Sequence, residues 1–245
     1  MEPKQSKTFL SGVSGFSIVW FGQFISLLGT SMTGFATTIW AFEQTGRATD
    51  LTLIGFFFVT PMVVLSPFAG VIVDKTSRKF LMILADGMSG LTTIIILVLL
   101  LTGNLQIWNL YITAIVQGVF QSVQWPAYSA SITLMLPKEH YARAHGMISL
   151  AGSGSNIFAP ILAGALLPFI GFVGVLLIDI ATFLFAIAAL LVVSIPQPQK
   201  SEENGEVKKH FLKDALFGIR YILQRPSLLG LQTVYLIGNF CLTLA

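Results

Sequence analysis

Six apolar runs, separated by loops too short to fold by themselves, leave this chain few ways to fold. They lie at about 14–40, 51–73, 79–102, 107–134, 144–169 and 171–195. Each is long enough to cross a hydrocarbon core of about 30 Å, which takes roughly 20 helical residues. In lipid the backbone must satisfy its own hydrogen bonds, so runs of this length are expected to be helices. Composition agrees: the chain is 54% hydrophobic and 10% charged, with a mean hydropathy of +0.80. A soluble surface carries about 25% charged residues, so there is too little charge here to cover one. The expected fold is an all-α membrane protein, a six-helix transmembrane bundle over 1–195. A polar stretch follows at 196–227, and an apolar segment at 228–245 starts a seventh helix that stops in mid-pattern.

The ends of the runs set orientation. Of the fourteen Lys and Arg residues, only Arg47 falls in a loop of the outer side. The others occupy the N-terminal tail (Lys4, Lys7), the 2–3 loop (Lys75, Arg78, Lys79), the 4–5 loop (Lys138, Arg143) and the segment after run six. The positive-inside rule puts these in the cytoplasm, N-terminus included, and an even number of spans before 196–227 follows. The first run outlasts the roughly 7–15 residues of a signal-peptide core, so it is expected to be a retained helix. A single cysteine, Cys241, excludes an intrachain disulfide framework. The net charge of +3 reflects this topology and implies no nucleic-acid partner.

Within 196–227, residues Pro196 to Glu206 read as a solvated linker. Lys208 to Leu223 forms an amphipathic pattern, with Phe211, Leu212, Ala215, Leu216, Ile219 and Ile222 on one face and Lys209, Lys213 and Arg220 elsewhere. A surface helix on the cytoplasmic leaflet is the expectation.

Polar residues recur inside the spans. In run one, Gln23, Ser26, Thr30, Thr33 and Thr37 share a face by their spacing of three and four, and in run four Thr113, Gln117, Gln121, Gln124 and Tyr128 do the same. One such residue is weak interhelical glue, at about 0.6 kcal/mol. Two whole-length stripes suggest the lining of a pathway. Run five has a small-residue face of Ser149, Gly152, Ser153, Asn156, Pro160, Ala163 and Gly164. Close packing explains such a face, and Pro160, with Gly164 beyond it, is a candidate helix bend. Asn156 is a further lining candidate. Two acids lie within spans. Asp86 is near enough to the cytoplasmic bases to be their ion-pair partner or else a proton site, and Asp179, with no base near it in sequence, is a proton-coupling candidate. A mid-membrane acid costs roughly 2.5–3.5 kcal/mol on insertion scales, so each should face the bundle or a wet cavity.

The loop between runs two and three carries the most specific pattern, Gly70-x-x-x-Asp74-Lys75-x-x-Arg78-Lys79. It resembles the helix 2–3 signature of the major facilitator superfamily, G-x-L-A-D-R-x-G-R-R, with Lys75 in place of an arginine and Ser77 in place of the second glycine. Trp20-Phe-Gly-Gln23-Phe-Ile-Ser-Leu-Leu-Gly29, Pro137-Lys-Glu-x-x-Ala142-Arg143-Ala144 and Asp179 with Phe183 are similar to bacterial macrolide-efflux and siderophore-exporter members. Many of these carry an acid where Thr30 stands here. Ser155 to Gly164 loosely resembles an antiporter signature, with three glycines replaced. The resemblance implies the N-terminal half of a twelve-helix protein in the bacterial inner membrane, with substrate held midway between two bundles and alternating access by rocking. It would make helices one and four structural equivalents within inverted three-helix repeats. It also implies that Gly70, Asp74, Lys75, Arg78 and Lys79 form a cytoplasmic latch, with Asp74 pairing to a base such as Arg143 and Arg78 to an acid or to helix C-terminal carbonyls.

The function expected is secondary active export of amphipathic small molecules, drug- or macrolide-like, in exchange for protons. An enzyme is the rival. No Gly-Lys pair supplies a phosphate-binding loop, no G-x-S-x-G is present, and His140, His145 and His210 lack metal-ligand spacing. No cofactor or metal is called for. The alternatives are a truncated fragment without transport of its own, or a half that works only with the missing C-terminal half or as a dimer with a second copy.

Overall fold

A computed structural model describes residues 12–196, 224–231 and 233–234. Among these there is no strand. The helices are α1 (Gly12–Thr45), α2 (Ala48–Lys75), α3 (Arg78–Leu101), α4 (Ile107–Met135) and α5 (Tyr141–Val192), with a 3-10 turn at Lys138–His140 before α5. Residues 226–231 are also helical. The amphipathic pattern at Lys208–Leu223 and most of the segment 228–245 lie outside the described residues.

Local chemistry sets the boundaries. Gly46 follows α1 at φ 64°, a left-handed conformation that closes a helix at little cost to glycine. Ser77 caps α3 by accepting a hydrogen bond from the Phe80 amide at 3.3 Å. Gln106 and Asn109 form a reciprocal capping box at the start of α4. Asp50 sits in the first turn of α2, where a negative charge is favoured, and accepts a hydrogen bond from the Tyr111 hydroxyl of α4 at 2.8 Å.

The 52 residues of α5 would span about 78 Å at 1.5 Å per residue, more than twice a membrane core. Gly171, at φ 65° and ψ −178°, breaks it. This is the first residue of the run expected at 171–195. Ala144 and Ile148 from its beginning share one core cluster with Leu190 and Val193 from its end. A straight helix would hold these residues roughly 60–70 Å apart. The chain therefore folds back at Gly171 into two antiparallel arms. Pro160, expected to bend this helix, keeps helical backbone angles, and the interruption is at Gly171 alone.

Four of the helices are long and apolar enough to cross a membrane: α1, α2, α3 and the stretch Lys138–Val192 that contains α5. Helix α4 is long enough but too polar, because its inward stripe of Thr, Gln and Tyr lowers its hydropathy. Large apolar side chains face outward on several helices, among them Phe56 (57% exposed), Val64, Val98, Leu150 and Ile161. In water such a surface would associate, and in lipid it is the matching face.

The core lies where α1 packs on α5, α2 on α4, and α3 on both α4 and α5. The face of α5 that packs is Ala144, Ile148, Ala151, Ser155, Ala159 and Ala163. The expected small-residue face is the neighbouring one. Of its members only Ala163 is buried, while Ser149, Ser153, Asn156 and Gly164 are exposed. Helix α2 buries only Ala69 and Val73. Its approach to α4 is nevertheless close, since a Cβ on Gly118 would overlap the backbone carbonyl oxygen of Phe58.

Candidate functional site

The two polar stripes meet around one acid. Gln23 of α1 donates from Nε2 to one carboxylate oxygen of Asp86 at 2.6 Å, and Gln124 of α4 donates to the other at 2.6 Å. Gln124 also reaches Gln23 Oε1 at 3.3 Å, closing a three-helix network of α1, α3 and α4. Asp86 is 3% exposed. Among the described residues no base stands beside it, so the expected ion pair with cytoplasmic bases is not the arrangement found there. Its position explains this. Eight residues, about 12 Å, separate Asp86 from Arg78 at the start of α3.

Asp86 borders a cavity of about 70 Å³, room for a few water molecules. Gln23, Ser26 and Thr30 of the α1 stripe and Gln121, Gln124 and Tyr128 of the α4 stripe line it. Phe24, Leu27, Ser89, Trp125, Ile148 and Ala151 complete the wall. The Tyr128 hydroxyl is buried without a hydrogen-bond partner. Trp20 stacks on Phe24 at 5.6 Å, and its indole N–H is fixed to the Met147 carbonyl at 2.8 Å, which holds that side of the wall in place.

The other proposed lining residues are elsewhere. Gln117 donates to the Thr92 hydroxyl of α3 at 2.9 Å, and Thr113 is turned back on its own helix at Leu110. Thr33 and Thr37 are buried beyond the cavity, with the Thr33 hydroxyl unpartnered. Asn156 is exposed. Gly164 lies in a separate open groove beside Gly171, with Glu43 and Trp40.

The second acid sits one side chain behind the cavity. Asp179, 1% exposed on the second arm of α5, accepts hydrogen bonds from Thr30 of α1 at 3.0 Å and Thr93 of α3 at 2.7 Å. Thr30 thus touches both the cavity and Asp179. Gln23 and Thr30 are seven residues apart on α1, as are Asp86 and Thr93 on α3, so the two acid stations lie about 10 Å apart along matched faces. Thr93 and Ser89 were not among the sequence candidates. Their spacing of seven and three from Asp86 is the same stripe signal seen in α1 and α4.

The charged hairpin is docked by its bases. Arg78 donates to the Ala130 carbonyl of α4 at 2.6 Å. Lys79 donates to the Leu191 and Val193 carbonyls at 3.2 and 2.8 Å, capping the C-terminus of α5, where a cation is favoured by the helix dipole. The capping of helix carbonyls expected of Arg78 is supplied at a helix end by Lys79. Asp74, Lys75 and Gly70 are exposed at the end of α2, and Arg143 is exposed at the start of α5. No ion pair joins Asp74 to Arg143 among the described residues.

Comparison with known proteins decides the family. Residues 19–245 match the model of the Major Facilitator Superfamily. The chain belongs to this superfamily. Among curated relatives, the MFS-type transporter YfiS of Bacillus subtilis is 28% identical over 232 residues, 93% of this chain and 54% of the relative. Macrolide efflux protein A of Streptococcus pyogenes is 24% identical over 219 residues, 89% of the chain and 54% of that protein. The enterobactin exporter EntS of Shigella flexneri is 27% identical over 229 residues, 89% of the chain and 52% of that protein. The chain spans about half the length of the curated relatives it matches. The facilitator family and the apolar helices together make it a multi-pass membrane protein of a transporter family.

Proposed function

We propose that this chain forms the N-terminal half of a secondary active exporter of amphipathic small molecules, drug- or macrolide-like, working by proton antiport with alternating access. The observation that carries this is the polar cavity at Asp86, where side chains from α1, α3 and α4 converge inside apolar helices. Burying an acid and several carboxamides there costs free energy that packing alone would not require. Relatives named for macrolide efflux and enterobactin export favour outward transport. The membrane is the bacterial inner membrane, crossed six times with the N-terminus in the cytoplasm. In that arrangement the arms of α5 are separate crossings, and α4 crosses with its polar face turned inward.

Asp179 serves as the proton station. Charged, it accepts from two threonine hydroxyls; protonated, one of its oxygens becomes a donor and at least one hydroxyl must rotate. Protonation therefore replaces the charge-assisted bonds that tie α1 and α3 to the second arm of α5 by weaker neutral ones. The cavity gives water a route to Thr30 and so to Asp179.

The span of about half a relative supports a second statement, that transport requires a second half or a second copy of this chain. The exposed α2 and the exposed Ser149, Ser153 and Asn156 face of α5 suit such a partner. The test is efflux of a fluorescent dye or a macrolide from bacterial cells. The chain would be expressed alone, and with a C-terminal facilitator half joined to it. Efflux abolished by a protonophore is expected from the joined protein. Efflux untouched by the protonophore would remove proton coupling, and none at all would remove the exporter reading.

The latch is tested in the same cells. With Arg78 and Lys79 engaged on helix carbonyls, Asp74 remains at the surface to take a base as the bundle changes state. Asp74→Asn should lower initial efflux severalfold while leaving the amount of protein in the membrane unchanged. Efflux at the unmodified rate would make the hairpin a topology signal only.

A further inference from the structure

We infer that the Asp86 cavity is a recognition site for the positively charged head of an amphipathic substrate, an alkylammonium group. This inference rests on the transport reading above and narrows its substrate class to organic cations. Among the described residues that line the cavity, Asp86 is the only formal charge, and none is Lys, Arg or His. A buried carboxylate without a counter-charge is costly in a low-dielectric interior, so the site gains most from a ligand that brings one positive charge.

The walls select among cations. Phe24, Trp125 and Tyr128 put aromatic rings in the wall of the cavity that Asp86 borders, and aromatic rings with a carboxylate are the combination that binds substituted ammonium ions. A hard divalent ion would find a single carboxylate, both of whose oxygens already accept amide N–H bonds, and otherwise only neutral hydroxyls and amides. An anion would meet the carboxylate as a like charge. Tyr128 adds an independent sign of an absent ligand, because its hydroxyl is buried at the cavity and has no partner. Its oxygen can turn a lone pair toward a positive head group. The volume of about 70 Å³ matches a small head group, so the apolar body of the substrate extends beyond it.

The test is equilibrium binding to the full chain in lipid nanodiscs, followed by tryptophan fluorescence. Benzyltrimethylammonium is the cationic probe, neopentylbenzene its uncharged carbon isostere, and benzenesulfonate the anion. Saturable binding of the cation, at least tenfold tighter than either of the others, is expected. Asp86→Asn should lower cation affinity tenfold or more, while the exposed Glu139→Gln changes it by less than twofold. Trp125 is 49% exposed, so Trp125→Leu spares the fold and should weaken the cation severalfold but not the isostere. If Asp86→Asn does not accumulate, the Trp125→Leu comparison decides. Equal binding of cation and isostere, or undiminished cation binding in Asp86→Asn or in Trp125→Leu, overturns the inference. Those results in a protein that still exports dye would leave the transport reading standing. Cation binding as expected in a joined protein without efflux would defeat the transport reading and spare the site.

Discussion

Asp179→Asn should leave the protein folded and lower proton-driven efflux at least tenfold. Asparagine keeps the shape of the acid. Its carbonyl oxygen can accept from one threonine, and its NH2 can donate to the other, because a hydroxyl both donates and accepts. The bonds to Thr30 and Thr93 are therefore replaced rather than lost. What disappears is the ability to gain and lose a proton. Asp179→Ala separates the two roles further. It leaves both hydroxyls without their partner and opens a gap between three helices, at a cost of about 1–3 kcal/mol. If Asp179 is only a tie between α1, α3 and α5, alanine lowers the thermal midpoint and asparagine changes neither stability nor transport. If it is the proton station, asparagine removes protonophore-sensitive efflux with the midpoint nearly unchanged. Initial efflux rates and melting of the purified protein, measured on both variants, distinguish these outcomes.

Gly118→Val is expected to have the largest effect on folding. The missing Cβ is what lets α4 lie against the backbone of α2, and an added side chain would overlap the Phe58 carbonyl oxygen and press on Pro61. A flexible side chain could move aside. A backbone carbonyl moves only if its helix does. Overpacking of this kind costs about 1–3 kcal/mol, and more where rigid elements must separate. With about 2–4 °C lost per kcal/mol in a chain of this size, the midpoint should fall by roughly 5–10 °C. Gly152→Val, beside open space on α5, should change it little. Equal midpoints for the two variants would mean that the α2–α4 contact is looser than it is drawn here.

Hydropathy made the long helices legible, because in lipid the length of an apolar run and the length of a helix are tied by the same membrane thickness. The break in α5 leaves little mark in hydropathy, because Phe169, Ile170 and Phe172 around Gly171 are all apolar. Periodicity found two of the three polar stripes. It overlooked the third, in α3, where one acid and a few hydroxyls are spread among Ile and Leu. The partners were beyond reach altogether. Nothing in the sequence says that Gln23 and Gln124 meet at Asp86, or that Thr30 meets Asp179, since these pairings come from how α1 lies against α3, α4 and α5. The packing face of α5 was misjudged for a related reason. Its Ala face and its Ser/Gly/Asn face are both small, and only the position of α1 chooses between them.

The hairpin shows the same division. Its charge pattern marked it at once, and helix carbonyls were one of two partners expected of Arg78, but the pattern could not say that Arg78 would reach Ala130 of α4 and Lys79 the end of α5. That use follows from tertiary structure, which brings the end of α5 back beside the start of α3.

The central claim, proton-driven passage through a facilitator bundle containing this cavity, is tested most directly in proteoliposomes. The joined protein would be reconstituted with a compound that cells expressing it export, and the lumen made more acidic than the bath. Proton exit should then drive the compound inward, faster than into protein-free liposomes, and a protonophore or the Asp179→Asn change should abolish the difference. Equal rates with and without the gradient, or with and without the protein, would contradict it.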